Sequence, residues 1–426
     1  VLSEPFYRKR DDFRMTSAAQ CRFCSRSTLY SFVDLGLTPL SNAFVKEEHL
    51  GKYEAFYPLH AYVCASCFLV QLEQFESPEH IFGDYAYFSS FSSSWLAHAE
   101  RYAHQVTSAF GLDKHSNVVE IASNDGYLLR YFKQSGIRVL GIEPAGNVAE
   151  AAIERGIPTV IDFFGSKLAS ELTRQGRGAD LLIGNNVLAH VPDLNDFISG
   201  MKILLNENGI ITMEFPHLLQ LMLHNQFDTI YHEHFSYFSL LTVKHVFASH
   251  GLVIFDVEEL STHGGSLRIY AKHETDGTKQ ETERLRKLIE QERTYKLDTL
   301  QAYLVFSEQV KQVKRDIWKC LIGLKNKGKQ MVGYGAPAKG NTLLNYCGVG
   351  KDVIDYVVDR NPYKQGLYLP GTRIPIYPPD RIRETEPDVV IIMPWNLSDE
   401  VITQTGYIRQ WGGQWLRLIP EPEVLE

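Results

Sequence analysis

The feature that most narrows the fold is an alternation. Between about residues 92 and 272, apolar runs of strand length recur at Asn117–Ala122, Ile137–Ile142, Ala179–Gly184 and Gly209–Phe215, each followed by a stretch of helical character. Such a chain builds a mostly parallel sheet with crossover helices on both faces. The pattern stops at Asp276–Lys329, which is polar and rich in Glu, Lys, Arg and Gln. There Leu285, Leu288, Leu297, Leu300 and Leu304, then Phe306, Val310, Val313, Ile317, Leu321 and Leu324, fall mostly three or four apart. That spacing predicts long amphipathic helix in two pieces, packed on its own domain in preference to a coiled-coil dimer. Beyond it, Gln330–Tyr334, Ile354–Val358, Val389–Met393 and Trp415–Ile419 read as strands of a second, smaller α/β unit.

Ahead of these blocks stand two cysteine pairs, Cys21-Arg-Phe-Cys24 and Cys64-Ala-Ser-Cys67, among short extended segments at Ala61–Cys64 and Phe68–Leu72. Each pair presents two thiolates from one knuckle, and two knuckles complete the closed sulfur shell of a structural zinc. Two disulfides, or unrelated buried cysteines, are the alternatives. The remaining cysteines, Cys320 and Cys347, read as buried thiols in a reducing compartment. Zinc here is expected to tie together a domain too small to hold itself, with no catalytic role.

The expected division is 16–85 for the zinc-binding domain, 86–275 for the central α/β domain, 276–329 for a helical connector and 330–426 for the C-terminal α/β domain. With 426 residues, 44% of them hydrophobic, the chain can fill two or three cores. A net charge of −8 argues against a general nucleic-acid binder but leaves room for one local anion pocket. No apolar run approaches the roughly 20 residues that span a bilayer, and the charged start lacks a signal-peptide core. A cytoplasmic monomer is expected, without a nucleic-acid or membrane partner.

Three stretches carry chemistry. In Val118-Val119-Glu120-Ile121-Ala122-Ser123-Asn124-Asp125-Gly126 a strand ends in a small polar turn that opens a helix. Glu143 closes the next strand, where an acidic side chain accepts from both ribose hydroxyls of a nucleoside. The turn has one glycine and lacks the G-x-G-x-x-G of a pyrophosphate turn. This suits S-adenosylmethionine, which brings an ammonium and a carboxylate to that place. Ala122, Asn124, Asp125 and Gly126 are the expected turn contacts, beside Glu120. Asp162 is expected at the adenine amino group, and Asn185 and Asn186 near the methionyl end. An ordinary α/β turn with solvated acids is the bland alternative, and a nicotinamide dehydrogenase the other.

The second stretch is Phe227-Asp-Thr-Ile-Tyr231-His232-Glu233-His234-Phe235-Ser236-Tyr237-Phe238. So many imidazole, carboxyl and phenol groups are costly to bury without purpose. The histidines stand two apart, not the four of the helical zinc motif. General acid–base work fits better, a near-neutral His taking a proton while Glu and Tyr orient it or stabilise charge. The third is Val332-Gly333-Tyr334-Gly335-Ala336-Pro337-Ala338-Lys339-Gly340-Asn341. Its glycines let backbone approach a ligand, and a helix N-terminus with Lys339 favours an anion. Tyr334, Gly335, Pro337, Ala338, Lys339, Asn341 and Arg360 are the expected contacts. A dehydrogenase loop or a purely structural turn would use similar residues.

Taken together, the paired cysteines, the central core, Tyr-x-Glu-His and the C-terminal unit resemble, over nearly the whole chain, the sugar C-3 methyltransferases. These enzymes belong to antibiotic and surface-polysaccharide pathways and act on dTDP- or similarly activated 4-keto-6-deoxy sugars. The resemblance implies a zinc-binding domain, a Rossmann-like class I methyltransferase domain and a C-terminal nucleotide-sugar-binding domain. It implies His234 as the base, with Tyr231 and Glu233 beside it, and further roles for His190 and for Tyr85. The C-terminal turn would then hold the sugar nucleotide's pyrophosphate. His263-Gly264-Gly265-Ser266-Leu267-Arg268 also looks like the family, with no role attached. The rivals are an O- or N-methyltransferase on a similar sugar and a zinc-ribbon RNA or protein methyltransferase.

Overall fold

The computed structural model describes residues 20–77, 89–91 and 93–425. Strands β1 (Leu29–Thr38), β2 (Tyr57–Cys64) and β3 (Val70–Leu72) form an antiparallel meander carrying the cysteine knuckles. Ser25 and Phe68 close the knuckles in left-handed backbone, at φ 58° and 59°. Their amides bond the carbonyls of Cys21 and Cys64 at 2.8 and 2.9 Å. The four Sγ atoms lie within 4.8 Å of one another. Cys21 and Cys67 are 3.5 Å apart, and Cys24 and Cys64 3.6 Å. Thiolates held about 2.3 Å from one zinc stand about 3.8 Å apart, whereas a disulfide needs about 2.05 Å. The donor set fits the metal, and the disulfide alternative falls.

The central sheet contains β4 (Asn117–Ile121), β5 (Arg138–Ile142), β6 (Thr159–Val160), β7 (Ala179–Asn185) and β8 (Leu205–Pro216). After the short strand β9 (Ser236–Tyr237) it adds β10 (Leu252–Leu260) and β11 (Ser266–His273). Its order is β10-β11-β8-β7-β4-β5-β6, with β11 antiparallel to both neighbours. The direction of winding reverses between β4 and β7, and ligands of such sheets bind outside the carboxyl ends there. This is the Rossmann-like architecture expected. β9 instead pairs with β3, so the meander gains its fourth strand from the centre of the chain.

The third sheet is built from β12 (Met331–Tyr334), β13 (Val357–Val358), β14 (Ile376–Tyr377), β15 (Val389–Ile392), β16 (Gln414–Arg417) and β17 (Glu423–Leu425). Its order, β14-β13-β12-β15-β16-β17, is parallel except for β17 and has its own switch point between β12 and β15.

Between the two larger sheets the connector forms helices Glu283–Thr294, Leu300–Leu304 and Phe306–Asn326. The last buries Phe306, Val310, Val313, Ile317 and Leu321 in one cluster with Phe32 and Val33 of β1 and Leu343 and Leu344 of the C-terminal unit. Phe32 and Phe306 stack with ring centroids 4.8 Å apart. The helix therefore packs within its own chain and fuses the cores of the cysteine-bearing and C-terminal units.

Glu292 fixes the other end of the connector. Its carboxylate is fully buried. It accepts from His217 Nε2 at 2.7 Å and from the amides of Leu240 and Leu241 at 2.6 and 2.8 Å, which start the helix Leu240–Ala248. Glu292→Ala leaves three donors unpaired, two of them buried, and should destabilise the fold by about 3 kcal/mol, read as a lower urea midpoint. Cys24→Ser should release the zinc, measured by elemental analysis, and lower the melting temperature. A metal-free native protein of full stability would contradict the structural zinc.

Candidate functional site

At the first switch point the turn after β4 takes left-handed backbone at Ala122, Asn124 and Gly126 (φ 56°, 50° and 74°). A Cβ on Gly126 would meet Ile157 at 2.8 Å, so glycine is required twice over. Glu143 ends β5 and braces this turn, its carboxylate oxygens accepting from Asn124 N and Ala145 N, each at 2.9 Å. Each oxygen keeps a lone pair for a ribose hydroxyl, and burial raises its pKa. Glu120 lies beneath the turn, fully buried beside Tyr127, with its pKa pushed well up by burial. Both of its carboxylate oxygens are buried without a hydrogen-bond partner among the described residues. Asp125 holds Arg155 at 2.7 Å and the Ser90 hydroxyl, and Asn124 Oδ1 accepts from Ser89 N at 2.9 Å. These two side chains fasten the segment at 89–91 over the turn.

Asp162 is exposed just past β6, flanked by exposed Ile161 and Phe163. Asn185 and Asn186 close β7. Their buried Oδ1 atoms, like Ser123 Oγ, have no hydrogen-bond partner among the described residues. Orphaned acceptors and a braced acid at a switch point fit a nucleoside with an amino-acid tail, so S-adenosylmethionine is well matched by Glu143, Asn185 and Asn186.

His234 lies in the crevice between the sheets, packed against Tyr231 and His190 with ring centroids 4.1 and 4.7 Å away. Its Nδ1–H donates to Thr229 O at 3.0 Å. That fixes the tautomer and leaves Nε2 with its lone pair, the state a base requires. His190 is set the same way, its Nδ1–H donating to Glu233 O at 2.8 Å. Burial holds His190 down to about 4 and His234 well below the imidazole range, with His190, His263 and Lys339 adding to the latter shift. Both rings are neutral at pH 7. Glu233 Oε1 accepts from Asn42 Nδ2 at 2.7 Å, and burial lifts its carboxyl to about 7. Tyr85 lies outside the described residues.

The C-terminal turn divides. Pro337, Ala338 and Lys339 stay part-exposed at the start of the helix Ala338–Cys347. Lys339 Nζ donates to Asn396 Oδ1 at 2.7 Å and lies 4.3 Å from the Trp395 ring. Burial lowers its ammonium to about 8. The Trp395 indole N–H donates to Asp228 at 2.7 Å, and burial raises that carboxyl to about 6. Gly335 (φ 87°) sits under Pro394, where a Cβ would come within 2.7 Å. The other expected contacts are turned elsewhere. Tyr334 is buried and donates to Gln404 at 2.6 Å. Asn341 donates to Ser41 O at 2.6 Å. Arg360 is exposed beside Glu400 at 3.4 Å. Strand alternation sends Tyr334 inward, while Asn341 faces the β1–β2 connection across the interface.

Several residues of the crevice were not singled out from sequence. Asn42, Asp228, Lys364 and Trp395 sit in turns and short 3-10 helices far apart in the chain. Trp395 had a usable signal, a large side chain just past a parallel strand's carboxyl end. Asp359 had another: it ends β13 as Glu143 ends β5, and it accepts from Ala336 N at 2.7 Å and Asn361 N at 2.8 Å.

Three family models match this chain: a zinc binding domain over residues 21–82, a methyltransferase domain over 95–257 and a C-methyltransferase C-terminal domain over 261–420. C-methyltransferase NovU from Streptomyces niveus is 34% identical over 411 residues, covering 95% of this chain and 96% of that protein. Among solved structures, magnesium protoporphyrin IX methyltransferase from Synechocystis is 14% identical, with 41% of this chain and 78% of that one covered and a TM-score of 0.32. A SAM-dependent methyltransferase from Anabaena variabilis is 16% identical, with 42% and 86% covered and a TM-score of 0.35. Such scores say nothing further about this chain. The matched domains and the full-length likeness to NovU decide the matter: the chain belongs to the zinc-containing, S-adenosylmethionine-dependent C-methyltransferases.

Proposed function

We propose that this enzyme methylates carbon 3 of a nucleotide-linked 4-keto-6-deoxy sugar, in deoxysugar biosynthesis, through an enolate made by His234. The observation that carries the reading is the tautomer of His234, a buried neutral ring with Nε2 unprotonated. A C4 ketone acidifies the hydrogen on C3. His234 Nε2 takes that proton, the C–H pair becomes the enolate, and the charge passes to the C4 oxygen. Tyr231 and Tyr85 are the donors assigned to that oxygen, while His190, its one N–H already given to Glu233 O, packs against the base. S-adenosylmethionine, when bound at Glu143, Asn185 and Asn186, supplies an electrophilic methyl group. Glu233 is held by Asn42 beside the base and keeps the segment in register. Lys339 and the first amides of its helix face the pyrophosphate.

The domain division at 85, 275 and 329 belongs to this reading, as does action by a monomer in the cytoplasm. No helix among the described residues is long and apolar enough to cross a membrane.

His234→Asn should keep affinity for S-adenosylhomocysteine and the nucleotide while kcat falls by about 100-fold or more. Near-normal turnover would remove His234 as the base. The enzyme in deuterated water with a dTDP-4-keto-6-deoxy sugar should exchange C3 without cofactor and gain one methyl with it, read by mass spectrometry. Methyl gain without exchange would refute the enolate. Because Lys339 loses its charge above about pH 8 in the free enzyme, kcat/KM should fall on that side. Lys339→Arg should move the fall to higher pH. A limb unmoved by that change would dissociate Lys339 from substrate binding.

A further inference from the structure

The turn Thr262–Gly264 joins β10 to β11 and is fixed from every side. Thr262 Oγ1 donates to the buried Glu214 at 2.9 Å. Gly264 O accepts from Gln226 at 2.7 Å, and Gly265 O from His217 N at 3.0 Å. A Cβ on Gly264 would come within 2.3 Å of the Trp395 ring, so the C-terminal unit lies directly against this turn. Inside it His263 holds left-handed backbone, φ 55° and ψ 18°, which a residue with a Cβ adopts at a cost. No hydrogen bond of the turn demands a histidine at that point.

The ring nevertheless has a defined place. His263 keeps part of its surface open to solvent. It lies edge-on to Trp95 at 5.6 Å, and its Nε2 faces the Asn186 amide nitrogen at 3.4 Å. With Nε2 accepting, Nδ1 carries the hydrogen and is a donor. Desolvation by the protein atoms packed around the ring, with Lys339 nearby, holds the imidazole down to about 4, so it is neutral at pH 7. A strained, rigidly held turn thus presents one neutral donor beside the asparagine that ends the cofactor strand, while His234 works from the segment Phe227–Phe238.

We propose that His263 hydrogen-bonds the sugar acceptor through Nδ1–H on the cofactor side of the crevice and aims its nucleophilic carbon at the methyl donor. This rests on the keto-sugar reading above. It separates two duties: His234 makes the enolate, and His263 aligns it. His263→Gly suits the test because glycine occupies that backbone without strain. The variant should melt no lower than the parent. With saturating dTDP-4-keto-6-deoxyglucose in deuterated water, C3 exchange should stay within about threefold, while methyl transfer falls by about tenfold or more, as loss of alignment predicts. Affinity for S-adenosylhomocysteine should be unchanged, and His263→Asn, which keeps a donor and tolerates the turn, should recover part of the rate.

Unchanged methyl transfer in His263→Gly overturns the assignment. Equal loss of exchange and transfer also overturns it, as does a loss of cofactor affinity that accounts for the rate. A parent enzyme that neither exchanges nor methylates any dTDP-, GDP- or UDP-linked keto sugar overturns the substrate reading, and the role of His263 with it.

Discussion

A polar segment can be buried only where every neighbour offers it a partner, and Phe227–Phe238 sets that demand for the whole molecule. Phe235 N bonds Ala189 O at 2.7 Å and Phe235 O accepts from Leu72 N at 3.0 Å. His232 meets Pro58 O at 3.2 Å, Glu233 meets Asn42, and Ile230 O accepts from Thr342 at 3.1 Å. Those partners come from the short helix after β7, the cysteine-bearing sheet with its β1–β2 connection, and the C-terminal helix. Removing any one leaves a buried group unpaired next to the base. The zinc contributes through the same segment, because Arg22, inside the first knuckle, donates to Leu72 O at 2.7 Å and stacks 5.3 Å over Phe235, the residue after His234.

The two larger sheets solve one problem in one way. Each ends its first strand in a tight turn, and each staples that turn with a carboxylate from the end of the second strand. Glu143 does so through Asn124 N and Ala145 N, Asp359 through Ala336 N and Asn361 N. The shared geometry explains why both turns read as ligand loops. They differ in their surroundings. The first opens onto orphaned asparagine oxygens, while the second is roofed by Pro394 and leaves Lys339 as its reach into the crevice.

Local features were legible in the sequence. The knuckles, the turn after β4, the acid ending β5 and the amphipathic face of Phe306–Asn326 depend on spacing within a few residues, and spacing is what a sequence displays. The histidine cluster was legible as chemistry because its groups are contiguous, although its tautomers depend on carbonyls that only folding supplies. What spacing does not encode is which face of an element meets another unit. Tyr334 and Asn341 stand in the expected turn yet point into the C-terminal core and toward Ser41. Asn42 acquires meaning only because Glu233 is brought to it from far along the chain. His263 was visible in the motif, but nothing short of the backbone angle and the ring's contacts with Trp95 and Asn186 marked it out.

The pairing of β3 with β9 also governs the order in which the protein is assembled. As the chain leaves the ribosome, all four cysteines emerge together and can capture their ion early. The outer edge of β3 then has to wait for Ser236 and Tyr237 before its hydrogen-bonding groups are covered. An unpaired edge is a template for foreign strands. Until then the short edge of β3 carries backbone groups that only the centre of the chain can cover.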